Sequence, residues 1–428
     1  MRSLIRRRRA ASDLPREVWV LAAVAFSVAL GFGIVAPVIP VFARKFGVGQ
    51  TAAGLVISAF AFMRLAFGPT AGAIVNRLGE RLVMAVGIGI VALSSLLTGL
   101  AGNYTQMLAL RAVGGVGSVM FTVSAQSLLL GAVHSSQRAR ASSMYRGGFL
   151  LGGLTGPALG GVLGGISLRL PFFIYAGTLG LAGVIALAQL HRPGALADTK
   201  TLDATPPAKL WPTLRNPAYQ AALTVNAAVG WAIFGVRSSL VPLFVVEVLH
   251  RGTLWTGLGL LASSLADVAT LYPAGRLADS TGRRPMLLIG SACGCVATGL
   301  LALSHNLPAY LFSMVLYGVT SSFLSASPAA VVGDVVGGRA GTVVAVFGMT
   351  SDLGAVVGPL VTGALAQHIS YGAAFGSTSA VLGLGLLMSL RMPETLRRDS
   401  TQRERQVGEQ VLDVLDADRE PHKVVWDL

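Results

Sequence analysis

The ten residues at positions 275–284, GRLADSTGRR, have a weaker copy at positions 72–81, GAIVNRLGER. Both stretches lie where a long apolar run ends and a charged turn begins, and they are 203 positions apart, 275 minus 72. Residues 39–42, IPVF, match residues 241–244, VPLF, and the Gly-Pro pair at 156–157 matches the pair at 358–359, each at an offset of 202. Three matches in register indicate a duplicated unit. Internal duplication in a strongly apolar chain is typical of secondary transporters, whose halves move around a central site.

The composition is that of an integral membrane protein. Mean hydropathy is +0.67, 53% of the residues are hydrophobic and only 12% are charged, which is unusual for a soluble chain of 428 residues. Twelve apolar runs of about 20 to 25 residues are each long enough to cross roughly 30 Å of hydrocarbon. They lack the alternation of a β-barrel. The predicted fold class is all-α, with twelve transmembrane helices in two pseudo-symmetric six-helix bundles.

Polar segments between the apolar runs predict five parts of the chain. They are a basic N-terminus at 1–17, a six-helix bundle at 18–191, a linker at 192–217, a second bundle at 218–391 and a tail at 392–428. The linker is polar and rich in proline, so we expect it to be flexible and cytoplasmic.

The net charge of +14 is distributed unevenly along the chain. With the N-terminus inside, 25 Lys and Arg residues fall in cytoplasmic segments, four in outer loops and four within spans, which accounts for all 33. This asymmetry predicts a multi-pass protein of the cell membrane with both termini cytoplasmic. It also argues against a nucleic-acid partner. The arginine cluster at positions 6–9 is interpreted as a topology anchor, with a targeting signal or a nucleic-acid arm as alternatives.

The second decapeptide resembles the loop signature of the major facilitator superfamily through Gly275, Leu277, Ala278, Asp279, Gly282, Arg283 and Arg284. In that family the signature lies between helices 2 and 3 and again between helices 8 and 9, as it does here, and the resemblance implies a cytoplasmic latch between the halves. The first copy contributes Gly72, Asn76, Arg77 and Gly79. It departs from the family pattern at Asn76, where an acid is usual, and at Glu80, where a base is usual. A neutral Asn binds a helix dipole or an arginine more weakly than a carboxylate does.

Two further stretches resemble signatures of the same superfamily. Predicted helix 4 contains Arg111 followed by a patch of small residues, so a cation lies beside a face that another backbone can approach. The alternative is that Arg111 reaches the outer membrane surface by snorkelling. Predicted helix 5 reads GGLTGPALGG at 152–161, which resembles the signature associated with antiporters and implies export. The residues that carry it are Gly152, Gly156, Pro157, Gly160 and Gly161. Simple helix packing is the alternative, because GxxxG spacing is common where helices pack.

Charges inside the predicted spans are the candidates for coupling and binding: Arg64, Arg111, Arg146, Arg237, Asp267 and Asp352. Each charge near the bilayer centre costs at least about 2.5 to 3.5 kcal/mol and therefore needs a partner or a water-filled cavity. Arg64 and Asp267 are 203 positions apart, so they occupy equivalent places with opposite charges. Asp267 and Asp352 are the only carboxylates near the middle of a predicted span, so they are the candidates to carry a proton.

The family layout implies how these charges pair. Helices 2 and 11 touch between the halves in that family, as do helices 5 and 8, so Arg64 is expected to meet Asp352 and Arg146 to meet Asp267. The hypothesis is that these pairs bridge the halves and rearrange during transport. Arg237 is an alternative partner for Asp267. Permanent structural ion pairs without a role in coupling are the alternative to the whole hypothesis.

The function predicted from these features is a secondary active transporter, a proton-coupled exporter of a small drug-like or amphiphilic molecule that works by alternating access. The alternatives are an importer of a sugar, organic acid or other metabolite, and a polytopic membrane enzyme. The six histidines are scattered, no phosphate-binding loop is present and the two cysteines are expected to be free thiols, so no enzyme activity, cofactor or metal site is expected. The expected partners are a small-molecule substrate, protons and the lipid bilayer, and a monomer is expected.

Overall fold

The computed structural model describes residues 14–133, 137–189, 210–336 and 341–396. Within these ranges twelve helices are long and apolar enough to cross a membrane, which confirms the prediction. We number them α1 Arg16–Val35, α2 Gln50–Leu78, α3 Glu80–Leu100, α4 Tyr104–Gly131, α5 Arg138–Ile166, α6 Leu170–Gln189, α7 Pro217–Glu247, α8 Thr253–Thr281, α9 Arg283–Leu303, α10 Leu307–Val335, α11 Gly341–His368 and α12 Tyr371–Arg391. The predicted N-terminal segment at 1–17, linker at 192–217 and tail at 392–428 lie largely outside the described residues, as does the arginine cluster at 6–9.

Helices α4 and α10, which are equivalent in the two halves, begin in the same way. Asn103 caps α4 by accepting a 2.9 Å hydrogen bond from the backbone N–H of Gln106. Asn306, 203 positions later, caps α10 through a 2.9 Å hydrogen bond from the N–H of Ala309. A capping side chain satisfies a donor that the first turn of a helix leaves free. The duplication therefore preserves the local signal that starts α4 and α10.

Six helices pack into each bundle, and the pairs that pack are equivalent. In the first bundle α1 packs on α5 and α6, α3 on α4 and α6, and α2 on α4. In the second bundle α7 packs on α11 and α12, α9 on α10 and α12, and α8 on α10. Each bundle has its own buried apolar core, centred on residues such as Leu21 and Phe172 in the first and Tyr219 and Phe244 in the second. The predicted pair of pseudo-symmetric bundles is confirmed.

The two bundles meet along two equivalent helix pairs, α2 with α11 and α5 with α8. Gly54 of α2 packs on the backbone carbonyl of Pro359, and Gly257 of α8 packs on that of Pro157. The two glycines are 203 positions apart and the two prolines 202. A methyl group at either glycine would collide with the carbonyl. Small residues thus bring the bundles into backbone contact twice, as they do where helices pack in lipid.

Two helices are irregular where the sequence places Gly and Pro. After α1 the chain turns at 36–38 and continues as the short helix Ile39–Arg44. Within α7, the α-helical segments Pro217–Val229 and Arg237–Glu247 flank a π-helical segment, Gly230–Val236. Gly230 packs directly on the backbone of Ser351. Short π-helical segments are frequent at functional sites, because the extra residue redirects the side chains that follow.

The ends of the bundles define two faces of the molecule. The linker joins α6 to α7 on one side, which we name the linker face, and the α2–α3 and α8–α9 turns lie there. The α1–α2, α7–α8 and α11–α12 connections lie on the other side, which we name the opposite face.

Candidate functional site

Two mid-membrane charges are held by serines in the same way in both bundles. Arg64 on α2 donates a 2.5 Å hydrogen bond from Nη1 to Oγ of Ser118 on α4. Asp267 on α8 accepts a 2.9 Å hydrogen bond at Oδ2 from Oγ of Ser321 on α10. Both pairs are related by the same offset, since 267 minus 64 and 321 minus 118 are each 203. A hydroxyl can accept or donate, so one serine position serves opposite charges.

Arg64 and Asp352 lie on the two helices that join the bundles, α2 and α11. They interact electrostatically, and Tyr145 and Tyr175 are further polar neighbours of Arg64. Both side chains belong to the described part of the chain, and no N–O distance between them is within 4.0 Å. The structure therefore brings together the two charges that the sequence predicted to meet, without a direct salt bridge.

Asp267 faces Arg237 and not Arg146. Arg237 on α7 donates a 3.0 Å hydrogen bond to Oγ of Ser263, one turn before Asp267 on α8, and interacts electrostatically with Asp267. Arg146 is exposed on α5. Ser264 donates to the carbonyl of Gly153, which fixes the level at which α5 and α8 meet. Because the two helices are antiparallel, Arg146 lies about one turn nearer the linker face than Asp267. The predicted pair of Arg146 and Asp267 is not formed, and Arg237, the alternative partner, interacts with Asp267 instead.

A cavity of about 440 Å³ lies between the bundles. Its polar lining consists of Asn226, Arg237, Ser264, Asp267, Ser321 and Ser325. Phe149 of α5 and Phe234 of α7 contribute aromatic walls. Phe234 belongs to the π-helical segment of α7, and Arg237 follows that segment directly. The irregular stretch of α7 therefore lines a cavity.

Arg111 points into the first bundle. Its side chain is buried, with 2% of its surface exposed, and its guanidinium lies 4.5 Å from the ring centroid of Phe60 on α2. Snorkelling to the outer membrane surface is therefore wrong for this residue. Gly115 packs on the carbonyl of Phe60, and Gly117 packs on the carbonyl of Gly87 in α3. The small-residue patch after Arg111 thus lets α2 and α3 approach the backbone of α4.

The glycine-rich stretch of α5 packs on α1 and also reaches α8. Its glycines at positions 152, 156 and 160 lie against the backbone carbonyls of Phe26, Leu30 and Ile34 in α1. Gly161 lies against α8, where it accepts a 3.0 Å hydrogen bond from Thr253. One face of α5 is thus in backbone contact with its own bundle and another with the second bundle. Gly354 of α11, 202 positions after Gly152, repeats the first contact with Ala227 and Trp231 of α7.

The two decapeptides, residues 72–81 and 275–284, form related turns at the linker face. Gly79 and Gly282 have φ values of 84° and 114°, a backbone region that residues other than glycine rarely adopt. Arg81 donates to the carbonyl of Leu187 at the end of α6. In the second half, Arg284 donates a 2.7 Å hydrogen bond to the carbonyl of Leu390 in α12. Both residues of this pair lie 203 positions after their counterparts in the first half. Each turn is therefore tied to the last helix of its own bundle.

The copies differ where the sequence differs. Arg283 forms a salt bridge with Asp334 of α10, with an Nε–Oδ2 distance of 3.4 Å. Glu80, at the equivalent position, instead accepts a 3.1 Å hydrogen bond from Ser127 of α4. Four other motif residues, Gly72, Asn76, Arg77 and Gly275, lie at the linker-face ends of α2 and α8. Asp279 belongs to α8, and its side chain is outside the described part of the structure.

The geometry of the bundles agrees with a family match along the sequence. A family model described as the Major Facilitator Superfamily matches residues 21–265 and 254–424, well over half of the chain. The chain belongs to the major facilitator superfamily. It is therefore a multi-pass membrane transporter, and the predicted family is confirmed.

Two relatives within the superfamily are named for drug resistance. Multidrug resistance protein 1 of Bacillus subtilis is 22% identical over 382 residues, which cover 86% of this chain and 94% of that protein. Quinolone resistance protein NorA of Staphylococcus aureus is 29% identical over 183 residues, 42% of this chain and 46% of NorA. The match with NorA thus spans about half the length of that relative.

Solved structures of other transporters share the fold. A bacterial homologue of the human lysosomal transporter Spinster has a TM-score of 0.71 at 14% identity, with 87% of this chain and 95% of that chain covered. The nucleoside transporter NupG has a TM-score of 0.73 at 13% identity, with 88% and 99% covered. At such identities the likeness concerns the fold alone, so it leaves the solute open.

Two polar clusters of this superfamily member were not among the candidates from the sequence. Glu394, just after α12, accepts hydrogen bonds of 2.8 and 3.0 Å from the backbone N–H groups of Arg283 and Arg284 and so caps α9. At the opposite face, Glu247 forms a salt bridge with Arg44, with an Nε–Oε1 distance of 2.7 Å. Arg44 and Glu247 are 203 positions apart, so the offset that revealed Arg64 and Asp267 would also have found this pair.

Proposed function

We propose that the chain is a proton-coupled exporter of small drug-like or amphiphilic molecules that works by alternating access. One observation carries the proposal. Asp267 and Asp352, at the middle of α8 and α11, each interact electrostatically with an arginine, and within the described structure neither forms a direct salt bridge. Both helices pack against the other bundle. A carboxylate at such an interface can gain and lose a proton as the bundles move, because its surroundings change with the movement.

The two carboxylates fit different steps. Arg64 belongs to the first bundle and Asp352 to the second, so a proton on Asp352 removes an attraction between the bundles. Asp267 and Arg237 both belong to the second bundle and both line the cavity. Asp352 therefore fits the control of bundle movement, and Asp267 fits the exchange of a proton for the solute.

The walls of the cavity support an amphiphilic solute. The lining combines aromatic and aliphatic side chains with hydroxyl, amide and charged groups, around a volume typical of small-molecule sites, roughly 300 to 1,000 Å³. Two relatives carry names that refer to multidrug and quinolone resistance. The antiporter-type stretch of α5 also forms part of the contact between the bundles.

The charge asymmetry supports an orientation. The linker face carries the excess of Lys and Arg, so we place this face and both termini in the cytoplasm. The opposite face is then extracellular. Hydrogen bonds between the bundles close it, including those of Glu247 with Arg44 and Gln50. We place the protein in the cell membrane as a monomer, since both bundles of one chain complete the cavity.

Transport in membrane vesicles tests the proposal. A thermal-shift screen of drugs and dyes at two pH values first selects a solute that binds the purified chain. Everted vesicles, in which the linker face is outside, are then given an acidic lumen. We expect the solute to accumulate in the lumen while protons leave, and we expect Asp352→Asn to reduce this driven accumulation at least about tenfold.

The opposite result identifies an importer. Accumulation in right-side-out vesicles with an acidic exterior, and none in everted vesicles, would replace export by symport into the cell. Accumulation that does not respond to a pH gradient of either sign would contradict proton coupling. Vesicles without the chain provide the background in every case.

A further inference from the structure

The cavity presents two opposite charges that are held apart. Arg237 is fixed by Ser263, and Asp267 is fixed by Ser321. Among the described atoms of Arg237 and Asp267, no N–O pair lies within 4.0 Å, although both side chains line the same cavity. Each serine satisfies only part of the hydrogen-bonding capacity of the charged group that it contacts, since a guanidinium has five donor hydrogens and a carboxylate about four acceptor positions.

Separated charges of this kind are costly in a membrane interior unless water or a solute forms hydrogen bonds with them. A solute with one charge would hydrogen-bond to only one of the two groups and would bring a net charge into the cavity. A solute with both charges, correctly spaced, would complete both and bring no net charge into the cavity. The arrangement therefore selects for two charges on one molecule.

We propose that this cavity binds amphoteric aromatic solutes, with a carboxylate on Arg237 and a protonated amine on Asp267. This inference rests on the proposed function, in which the cavity is the substrate site. Charge-assisted hydrogen bonds to both groups would set the orientation of the solute.

The remaining walls fit an aromatic body between the two charged ends. Phe149 lies on the first bundle and Phe234 on the second, on opposite sides of the interface. Both charged groups belong to the second bundle, and the described lining from α5 is limited to Phe149, Leu150 and Gly153. The charged ends of the solute therefore bind one bundle, while its rings bridge to the other. Movement of the bundles would then change the contacts of the rings, while both charged contacts stay within the second bundle.

Three matched probes test this inference by binding alone. They are 6-(aminomethyl)-2-naphthoic acid, its methyl ester and its N-acetyl derivative, which are a zwitterion, a cation and an anion on one fluorescent ring system. Binding to the full chain in lipid nanodiscs is measured at pH 7 without any gradient. We expect the zwitterion to bind about tenfold more tightly than either capped form, the equivalent of one charged hydrogen bond. Equal affinity of the three probes for the unmodified protein would overturn the inference, whatever the variants do.

Two variants then assign the ends. Arg237→Gln should remove the advantage of the zwitterion over the ester and leave ester binding nearly unchanged. Asp267→Asn should remove the advantage over the N-acetyl form in the same way. Arg251→Gln, at an exposed residue outside the cavity, is the matched control. A variant that weakens all three probes equally contradicts the assignment, and melting temperatures identify any variant that fails to fold.

The outcome separates this inference from the proposed function. A strong preference for the zwitterion without transport in vesicles would support the inference and contradict the exporter. Proton-driven export of another solute, with no preference among the three probes, would support the exporter and overturn the inference.

Discussion

Arg44 and Glu247 occupy equivalent positions in the two halves, 203 residues apart, and they form a salt bridge with each other. Equivalent residues can meet only near the axis that relates the two halves, just as a residue on a twofold axis meets its own copy. Gln50 and Tyr371 also donate to Glu247, at 2.9 and 2.6 Å. The duplicated chain has thus acquired opposite charges at one repeated position, and these charges join the bundles at the opposite face.

Loss of the Glu247 charge should favour opening of this face. Glu247→Gln removes the salt bridge while keeping the size of the side chain. The two side chains are 33% and 23% exposed, so the pair should contribute about 1 kcal/mol or less. Such a change shifts the balance of open and closed molecules by up to about fivefold. Spin labels on cysteines placed at the exposed positions Ile166 and Ile369, with the two native cysteines replaced, would report the separation of the bundles.

Charge exchange provides the control for this expectation. Arg44→Glu alone places two acids together and should open the face further than Glu247→Gln does. The double variant Arg44→Glu with Glu247→Arg should restore the short distance. If the double variant stays as open as the single one, Arg44 and Glu247 do not hold the face closed.

Neutralisation of Asp352 should separate driven transport from exchange. Asp352→Asn cannot take up a proton, so we expect uphill transport under a pH gradient to fall at least about tenfold, whereas solute exchange at equal pH continues. Asp352→Glu keeps a titratable group and should retain part of the driven transport. Both rates are measured in proteoliposomes with the solute selected by binding. Driven transport at the wild-type rate in Asp352→Asn would exclude this residue as an essential proton carrier.

Glycines in α5 should be sensitive where they contact another backbone. A Cβ at Gly152 would collide with Phe26 and Leu30, whereas one at Gly147 would meet no atom within 4 Å. Gly152→Ala should therefore lower the free energy of unfolding by about 1 to 3 kcal/mol, the usual cost of overpacking. Gly147→Ala should be neutral or slightly stabilising. Thermal unfolding in one detergent compares the two variants, and equal melting temperatures would contradict close packing of α1 on α5.

The equivalent glycine in the second half provides an independent test. Gly354 contacts Ala227 and Trp231 of α7 in the same manner. Gly354→Ala should therefore destabilise the chain about as much as Gly152→Ala. A large difference between the two would mean that the bundles do not share this packing.

The fold was predictable from the sequence because several local signals recur at one offset in the two halves. The offset of 203 fixed the equivalence of the two motif copies, and apolar runs fixed the helices. The partner of Asp267 was not predictable in the same way. Helix pairing placed α5 next to α8, but Arg146 lies about one turn away from the level of Asp267 and is therefore outside the site. The π-helical segment before Arg237 has no clear sequence signature. Sequence periodicity sets which helices meet, whereas side-chain partners depend on axial position.

Glu394 should make the stability of the linker face depend on pH. Burial alone would raise the pKa of Glu394, but hydrogen bonds from the backbone N–H groups of Leu396, Arg283, Arg284 and Thr395 outweigh it and lower the pKa below the ordinary value. A carboxylate at the start of α9 is also favoured by the helix dipole. Because the pKa of Glu394 is lowered by folding, its charge stabilises the folded chain at pH values above the pKa of the unfolded chain, about 4.3 for glutamate. This contribution is lost as the pH falls through the pKa of Glu394 in the folded chain.

Glu394→Gln should therefore lower the melting temperature at pH 7, by an amount that corresponds to about 0.5 to 1 kcal/mol for a helix cap. The difference between wild type and variant should remain constant from pH 7 to about pH 5 and shrink below about pH 4.3, where the unfolded chain becomes protonated. Thermal unfolding of both proteins in the same detergent across this range gives the measurement. A difference that stays constant down to pH 3 would mean that Glu394 stabilises the turn through the shape of its side chain and not through its charge.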